Sequence, residues 1–166
     1  MGKNSNKDKI NEQKTNVMRL LDKAGIPYKH YCYVGTDAVG GTEVAEVMGQ
    51  NPDQVFKTLV TVGKSGEHYV FVVPVNRELN LRKGAKAVNE KSVEMIKSKE
   101  LLPLTGYIHG GCSPIGMKKT FTTVINDTAE NQETIIFSGG KIGYQVEVKP
   151  EDLKKIIRFT MADITD

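Results

Sequence analysis

The stretch Gln54-Val-Phe-Lys-Thr-Leu-Val-Thr-Val62, Gly63-Lys-Ser-Gly66, Glu67-His-Tyr-Val-Phe-Val-Val-Pro-Val75 decides the fold. Two runs rich in β-branched and aromatic residues, Gln54–Val62 and His68–Val75, flank a glycine-containing turn, the pattern of a β-hairpin. Side chains alternate across a strand, so Val55, Lys57 and Leu59 share one face while Phe56, Thr58 and Val60 share the other. Both faces are largely apolar, which predicts a strand buried on both sides. Lys57 is the one charge in that run. An ammonium group in such a place must pair, snorkel or occupy a cavity. It is either a sheet-edge lysine whose stem covers Val55, or a cavity cation able to hold a phosphate or polarise a carbonyl oxygen.

Upstream of the hairpin, Val17, Leu20, Leu21 and Ala24 recur at helical spacing, and Gly25 with Pro27 ends that segment. Tyr28–Tyr33 reads as a strand. The turn-rich Gly35–Gly41 leads to Thr42, placed to cap a short helix through Met48. Downstream, residues 80–88 and 90–97 read as two amphipathic helices, with Val93 and Ile96 on one face of the second. Strands follow at Thr122–Ile125, Thr134–Phe137 and Tyr144–Val148, and Pro150-Glu151-Asp152 opens a helix through Ile157. Strands interleave with helices while the hairpins are antiparallel. The expectation is one α/β (α+β) domain with a mixed sheet, not a doubly wound parallel one.

The whole chain, 166 residues with 39% hydrophobic and 26% charged content, suits one globular domain over residues 14–166. The polar residues 1–13 are expected to fray, and Met1-Gly2 only loosely resembles an acylation signal. No apolar run approaches the ~20 residues of a membrane span, and no secretory pattern opens the chain, so a cytoplasmic setting is expected. Two cysteines, Cys32 and Cys112, give neither a disulfide framework nor a zinc motif. No metal site and no cofactor are expected. The net charge of +3 does not announce a nucleic-acid binder, but its distribution is uneven. Residues 76–119 carry nine basic and four acidic groups: Arg77, Arg82, Lys83, Lys86, Lys91, Lys97, Lys99, Lys118 and Lys119 hold the surplus. This is either a solvated face or a patch that meets phosphates.

Two loops can carry chemistry. Gly110-Gly111-Cys112-Ser113-Pro114 can expose several backbone N–H groups and approach a ligand closely, as an oxyanion or ribose-phosphate site requires; it can equally be a tight turn. Ser138-Gly139-Gly140 places a hydroxyl before flexible backbone. It is neither a nucleophile elbow nor a phosphate loop of the Walker type. Cys112 has His109 three residues before it but no acid close in sequence to orient that imidazole. Cys32, in a strand, reads as a small apolar filler.

Phe56-Lys57-Thr58-Leu59-Val60, Phe71-Val72-Val73-Pro74-Val75, Lys91-Ser92-Val93-Glu94-Met95, Leu104-Thr105-Gly106-Tyr107, Gly110-Gly111-Cys112-Ser113-Pro114-Ile115-Gly116 and Ser138-Gly139-Gly140-Lys141 occur in that order. Together, from about Lys14 to Asp163, they resemble the aminoacyl-tRNA deacylases of the YbaK/EbsC type, relatives of the editing domain inserted in bacterial prolyl-tRNA synthetase. The resemblance implies a compact mixed sheet, partly curled into a barrel, with helices outside. It implies hydrolysis of the ester joining a mischarged amino acid to the 3′-terminal adenosine of a tRNA, most typically cysteine on tRNA(Pro). It assigns Lys57 to activity and Gly110 and Gly111 to the scissile carbonyl through their N–H groups. Tyr33, Thr58, Ser113 and Ser138 become substrate contacts.

The implied partners are the tRNA acceptor end and prolyl-tRNA synthetase. A cysteinyl ester further suggests a substrate-assisted route, in which the substrate's own thiol expels the ribose hydroxyl. Alternatives are a deacylase for alanine or another small amino acid, and a non-catalytic nucleotide- or RNA-binding module. One departure stands out: the family's pocket aromatic, two positions before the acid of the first short helix, falls near Gly41, or at Gly40 if the gap is placed differently.

Overall fold

The computed structural model describes residues 14–166; the expectations for residues 1–13 and for Met1-Gly2 lie outside the described residues. Among the described residues, eight strands form two sheets. The larger contains β2 (Phe56–Gly63), β3 (His68–Pro74), β4 (Val93–Met95), β5 (Thr122–Asn126) and β8 (Thr160–Ala162), in the order β4-β2-β3-β5-β8. The smaller contains β1 (Lys29–Cys32), β6 (Ile135–Ser138) and β7 (Tyr144–Val148), in the order β1-β7-β6. The hairpin read from the sequence is the centre of the larger sheet: β2 pairs antiparallel with β3, and Lys57 stands opposite Val73. β5 joins β3 in parallel and β8 joins β5 in parallel, so the sheet is mixed as expected. The sheets do not close into a barrel. A single parallel bridge, Val55 to Ile136, connects them.

Among the described residues, five α-helices surround the sheets: α1 (Asn16–Lys23), α2 (Gly41–Val47), α3 (Leu81–Ala87), α4 (Ser98–Thr105) and α5 (Pro150–Leu153). The alternation in β2 sorts the core into layers. Phe56 and Val60 join Val70 and Val72 in a cluster shared with Phe137 and Val146 of the smaller sheet and with Val17, Met18 and Leu21 of α1. Leu59 packs on the opposite face with Phe71, Val73 and Ala85 of α3. Phe71 and Phe137 are fully buried, each worth about 1.5–3 kcal/mol relative to exposure. Val55, Val75 and Ile136 form a third cluster with Ala45 of α2, where the two sheets meet.

Several expectations are corrected. The second helix, 90–97, is a turn followed by the edge strand β4. Val93 and Ile96 differ by an odd number of positions, so a strand sends them to opposite sides: Val93 to the α3 side and Ile96 toward the α1 side. The helix lies further on, as α4, with Pro103 inside it. Thr42 does not cap α2; Gly40 holds that position and the Glu43 carboxylate accepts the Val39 N–H. The helix opened by Pro150 stops at Leu153 and continues only as turns. β8, not anticipated, extends the sheet beside β5.

Candidate functional site

Lys57 lies on β2 with its side chain 28% exposed, and its Nζ stands 3.5 Å from Oε1 of Glu78. Glu78, in the turn after β3, is 81% exposed. A pair this long, with one partner in water, is worth about 0–1 kcal/mol and exchanges readily for a ligand anion. Lys57 is thus a half-buried cation on an apolar strand, held only loosely.

The bridge between Val55 and Ile136 sets what lies beside it. The bridge is parallel, so Lys57 and Ser138 both stand two residues beyond it, and by alternation both fall on the Val55–Ile136 side. Ser138 ends β6 and accepts the Gly140 N–H at its Oγ (3.1 Å), which leaves its own O–H to donate. The turn that follows, residues 139–143, gathers the remaining motifs. Tyr33, just past β1, donates its N–H to the Gly143 carbonyl (2.8 Å), and its own carbonyl accepts from the Thr36 N–H and hydroxyl. Across the turn, a Cβ on Gly111 would come within 3.2 Å of the Ile142 nitrogen, a closer approach than a side chain usually allows. Gly110 has φ of 89°, the left-handed region that glycine adopts without strain. Tyr33, the double-glycine loop and Ser138 therefore meet around one turn, and Ser138 shares its side of the sheets with Lys57.

The structure places three of the expected residues as follows. The Gly111 N–H donates to the Ile108 carbonyl (3.0 Å), closing the loop. Among the described residues, no protein acceptor meets the N–H of Gly110, Cys112 or Ser113, so of the two glycines Gly110 is the one whose amide is not spent within the loop. Ser113 is fully buried, and its Oγ accepts the Ile115 N–H (3.3 Å); the hydroxyl shapes the loop. Thr58 points to the opposite side of β2 from Lys57, toward the α1 core, where its Oγ1 is buried with no protein partner. The structure does not bring Thr58 and Lys57 together.

Cys112 packs against the core, and burial pushes its thiol up to about 12. The nucleophilic form is the thiolate, so this side chain is inert near neutrality. Its neighbour His109 is exposed. The loop is braced from behind: Tyr107 donates its hydroxyl proton to the Ile115 carbonyl. No group of three His, Cys, Asp or Glu side chains among the described residues is placed to hold a metal ion. No helix there is long and apolar enough to cross a membrane.

For the Gly41 placement the structure gives a reason for the departure noted in the sequence, and Gly40, with φ of 85°, has the backbone that favours glycine. A Cβ on Gly41 would lie 2.4 Å from Cγ1 of the buried Val75, so no side chain fits, and an aromatic pocket wall cannot come from this position. Sequence reasoning missed Glu78. The hairpin register was the available signal, since it places the turn after Pro74 next to Lys57. It also missed the exposed aliphatics that flank the turn, Val34, Ile108 and Ile142.

A family model, the aminoacyl-tRNA editing domain, matches residues 37–156. The Enterococcus faecalis protein named "Putative Cys-tRNA(Pro)/Cys-tRNA(Cys) deacylase EbsC" is 45% identical over 158 residues, covering 95% of this chain and 96% of that one. A solved structure described as "a putative trans-editing enzyme for prolyl tRNA synthetase" superposes with a TM-score of 0.79 at 22% identity, over 93% of this chain and 99% of that chain. That likeness shows a shared mixed-sheet fold. The matched span begins four residues before α2, ends three residues past α5, and takes in Lys57, both glycine loops and Ser138; by that match this chain belongs to the aminoacyl-tRNA editing domain family.

Proposed function

We propose that the chain is a trans-editing hydrolase that deacylates mischarged tRNA, with cysteine on tRNA(Pro) as its principal substrate. The observation that supports this is the loosely held Lys57, on the same side of the sheets as Ser138, whose following turn seats the double-glycine loop. The cysteinyl specificity follows the relative's name.

In this reading Lys57 engages the terminal nucleotide and the ester, releasing Glu78 to water. The N–H groups of Gly110 and Cys112 donate to the ester carbonyl oxygen, and Gly111 gives the loop its close seat on the 139–143 turn. Ser138 donates its hydroxyl to the terminal ribose, and Tyr33 borders the pocket. Ser113 and Thr58 serve the frame around it. The substrate's thiol attacks its own carbonyl carbon, forming a C–S bond as the C–O bond to the ribose breaks. The thiol proton passes to the departing ribose hydroxyl, and water then opens the thiolactone to free cysteine. The protein supplies orientation and stabilisation of the developing negative charge. The setting is cytoplasmic, and prolyl-tRNA synthetase is the partner that would present the RNA.

Release of amino acid from a panel of charged tRNAs tests the reading. Hydrolysis of Cys-tRNA(Pro) above the others supports it. Preference for an alanyl or other small aminoacyl ester replaces the specificity, and binding without release leaves a non-catalytic RNA-binding module.

A further inference from the structure

Away from that site, a recess of about 460 Å³ opens between α3 and β4, and its walls include Arg82, Lys86, Asn89, Glu90, Lys91 and Ser92. Arg82 and Lys86 stand four residues apart on α3 and so share a side of that helix. Lys91 comes from the turn that enters β4. Among the described residues, none of these three cations belongs to an ion pair. The single acid of the recess is committed elsewhere: the Glu90 carboxylate accepts from the Ser65 N–H (3.2 Å), the Ser65 hydroxyl and the Tyr69 hydroxyl (2.6 Å). Asn89 and Ser92 add neutral polar groups to the wall. Three cations against the one Glu90 carboxylate leave the recess with a positive surplus, and a polyanion is the ligand that this surplus favours.

The recess also lies on the Lys57 side of the larger sheet. A Cβ on Gly84 of α3 would approach Cζ of Phe71 to 3.3 Å. Phe71 stands opposite Leu59, two residues from Lys57 on the same face. The floor of the recess is Val93, which pairs with Gly63 at the far end of β2. β2 is thus a ruler between the two places: six residues at ~3.3 Å give roughly 20 Å.

We infer that this recess grips the phosphate backbone of the RNA whose 3′ end reaches Lys57, an assignment that rests on the deacylase reading above. Stacked nucleotides advance ~3.4 Å per phosphate along one strand, so 20 Å corresponds to about six of them. With the ester at Lys57, Arg82, Lys86 and Lys91 meet phosphates beyond the unpaired 3′ end, on the acceptor stem. Contacts of this kind position RNA without reading its sequence. The uneven charge of the chain thereby divides by role. Lys83, a neighbour in sequence, is tied to Asp163 and to the Thr165 carbonyl, while Arg82, Lys86 and Lys91 face the RNA.

The test uses the full chain with Arg82→Ala, Lys86→Ala and Lys91→Ala combined. Binding of uncharged tRNA is titrated against salt, and deacylation is measured on full-length charged tRNA and on a charged 3′-terminal trinucleotide. The expected result is a slope of log K against log salt shallower by about 2–3, with an accompanying rise in KM for full-length tRNA of about tenfold or more at low salt. The value of kcat, and all parameters for the trinucleotide, stay at wild-type levels. The charge-preserving set Arg82→Lys, Lys86→Arg, Lys91→Arg retains the wild-type slope. An unchanged slope and KM, as an acidic protein occupant would give, overturns the assignment; so does an equal loss on the trinucleotide. A wild-type chain that deacylates neither substrate defeats the deacylase reading instead, while the salt slope on uncharged tRNA still decides the recess.

Discussion

Lys57 and Lys83 are the two lysines of the larger sheet's α3 side that have named partners, and they are held in opposite ways. Lys83, 40% exposed, is gripped by the Asp163 carboxylate at 2.9 Å and the Thr165 carbonyl at 2.7 Å, fastening α3 to the C-terminal segment. Lys57 is more buried, yet has only the exposed Glu78 carboxylate at 3.5 Å. Burial alone does not separate them. The informative quantity is whether the cation's donors are already satisfied: Lys83 spends its donors on the fold, whereas Lys57 meets only the exposed Glu78 carboxylate, which is the basis of the role proposed for it.

The largest expected effect separates the two directly. Lys57→Ala lowers kcat/KM on Cys-tRNA(Pro) by about 100-fold or more, with the thermal midpoint close to wild type. Near-normal turnover by that variant would break the comparison. A smaller loss is expected from Gly111→Ala, whose new Cβ must push the 139–143 turn aside by a few tenths of an ångström. Displacing the loop that carries the Gly110 and Cys112 amides reduces kcat by about tenfold with little change in KM, measured in single turnover.

Lys83→Ala is expected to do the converse: turnover is unchanged and Tm falls by about 1–3 °C. Lys83 holds the Asp163 carboxyl below the usual carboxylate range. That contribution is present above the ordinary carboxylate pKa and disappears as pH falls through the lowered one, so wild type and variant converge in Tm under strong acid. The smallest effect belongs to Glu78→Gln. Removing a loose, solvent-exposed partner alters KM by less than about threefold and leaves stability as it was.

The parts of the fold that packing dictates were legible in the sequence. The β2–β3 hairpin was visible because both runs are apolar on both faces, and α1 because Val17, Leu20 and Leu21 keep helical spacing. β4 was not, since an edge strand of three residues carries too short a pattern to be told from one helical turn, and pairing with Thr61–Gly63 decides its state. β8 was hidden for the same reason. In the site, residue types were legible and their satisfaction was not. The sequence showed that Gly110 and Gly111 could offer amides, but only the fold shows the Gly111 N–H spent on Ile108. Alternation had already put Thr58 on the far side of β2 from Lys57, and the cluster around Phe56 and Val60 shows what it faces there.

In the proposed reaction the ester is broken by its own thiol, with a lysine, two loop amides and the Ser138 hydroxyl around it and no protein nucleophile. Single-turnover deacylation of Cys-tRNA(Pro) by the Cys32→Ala, Cys112→Ala double variant tests this most directly. A rate within about twofold of wild type, with thiolactone trapped among the products, is the predicted result; loss of turnover in a folded double variant would show that a protein thiol does the cleaving.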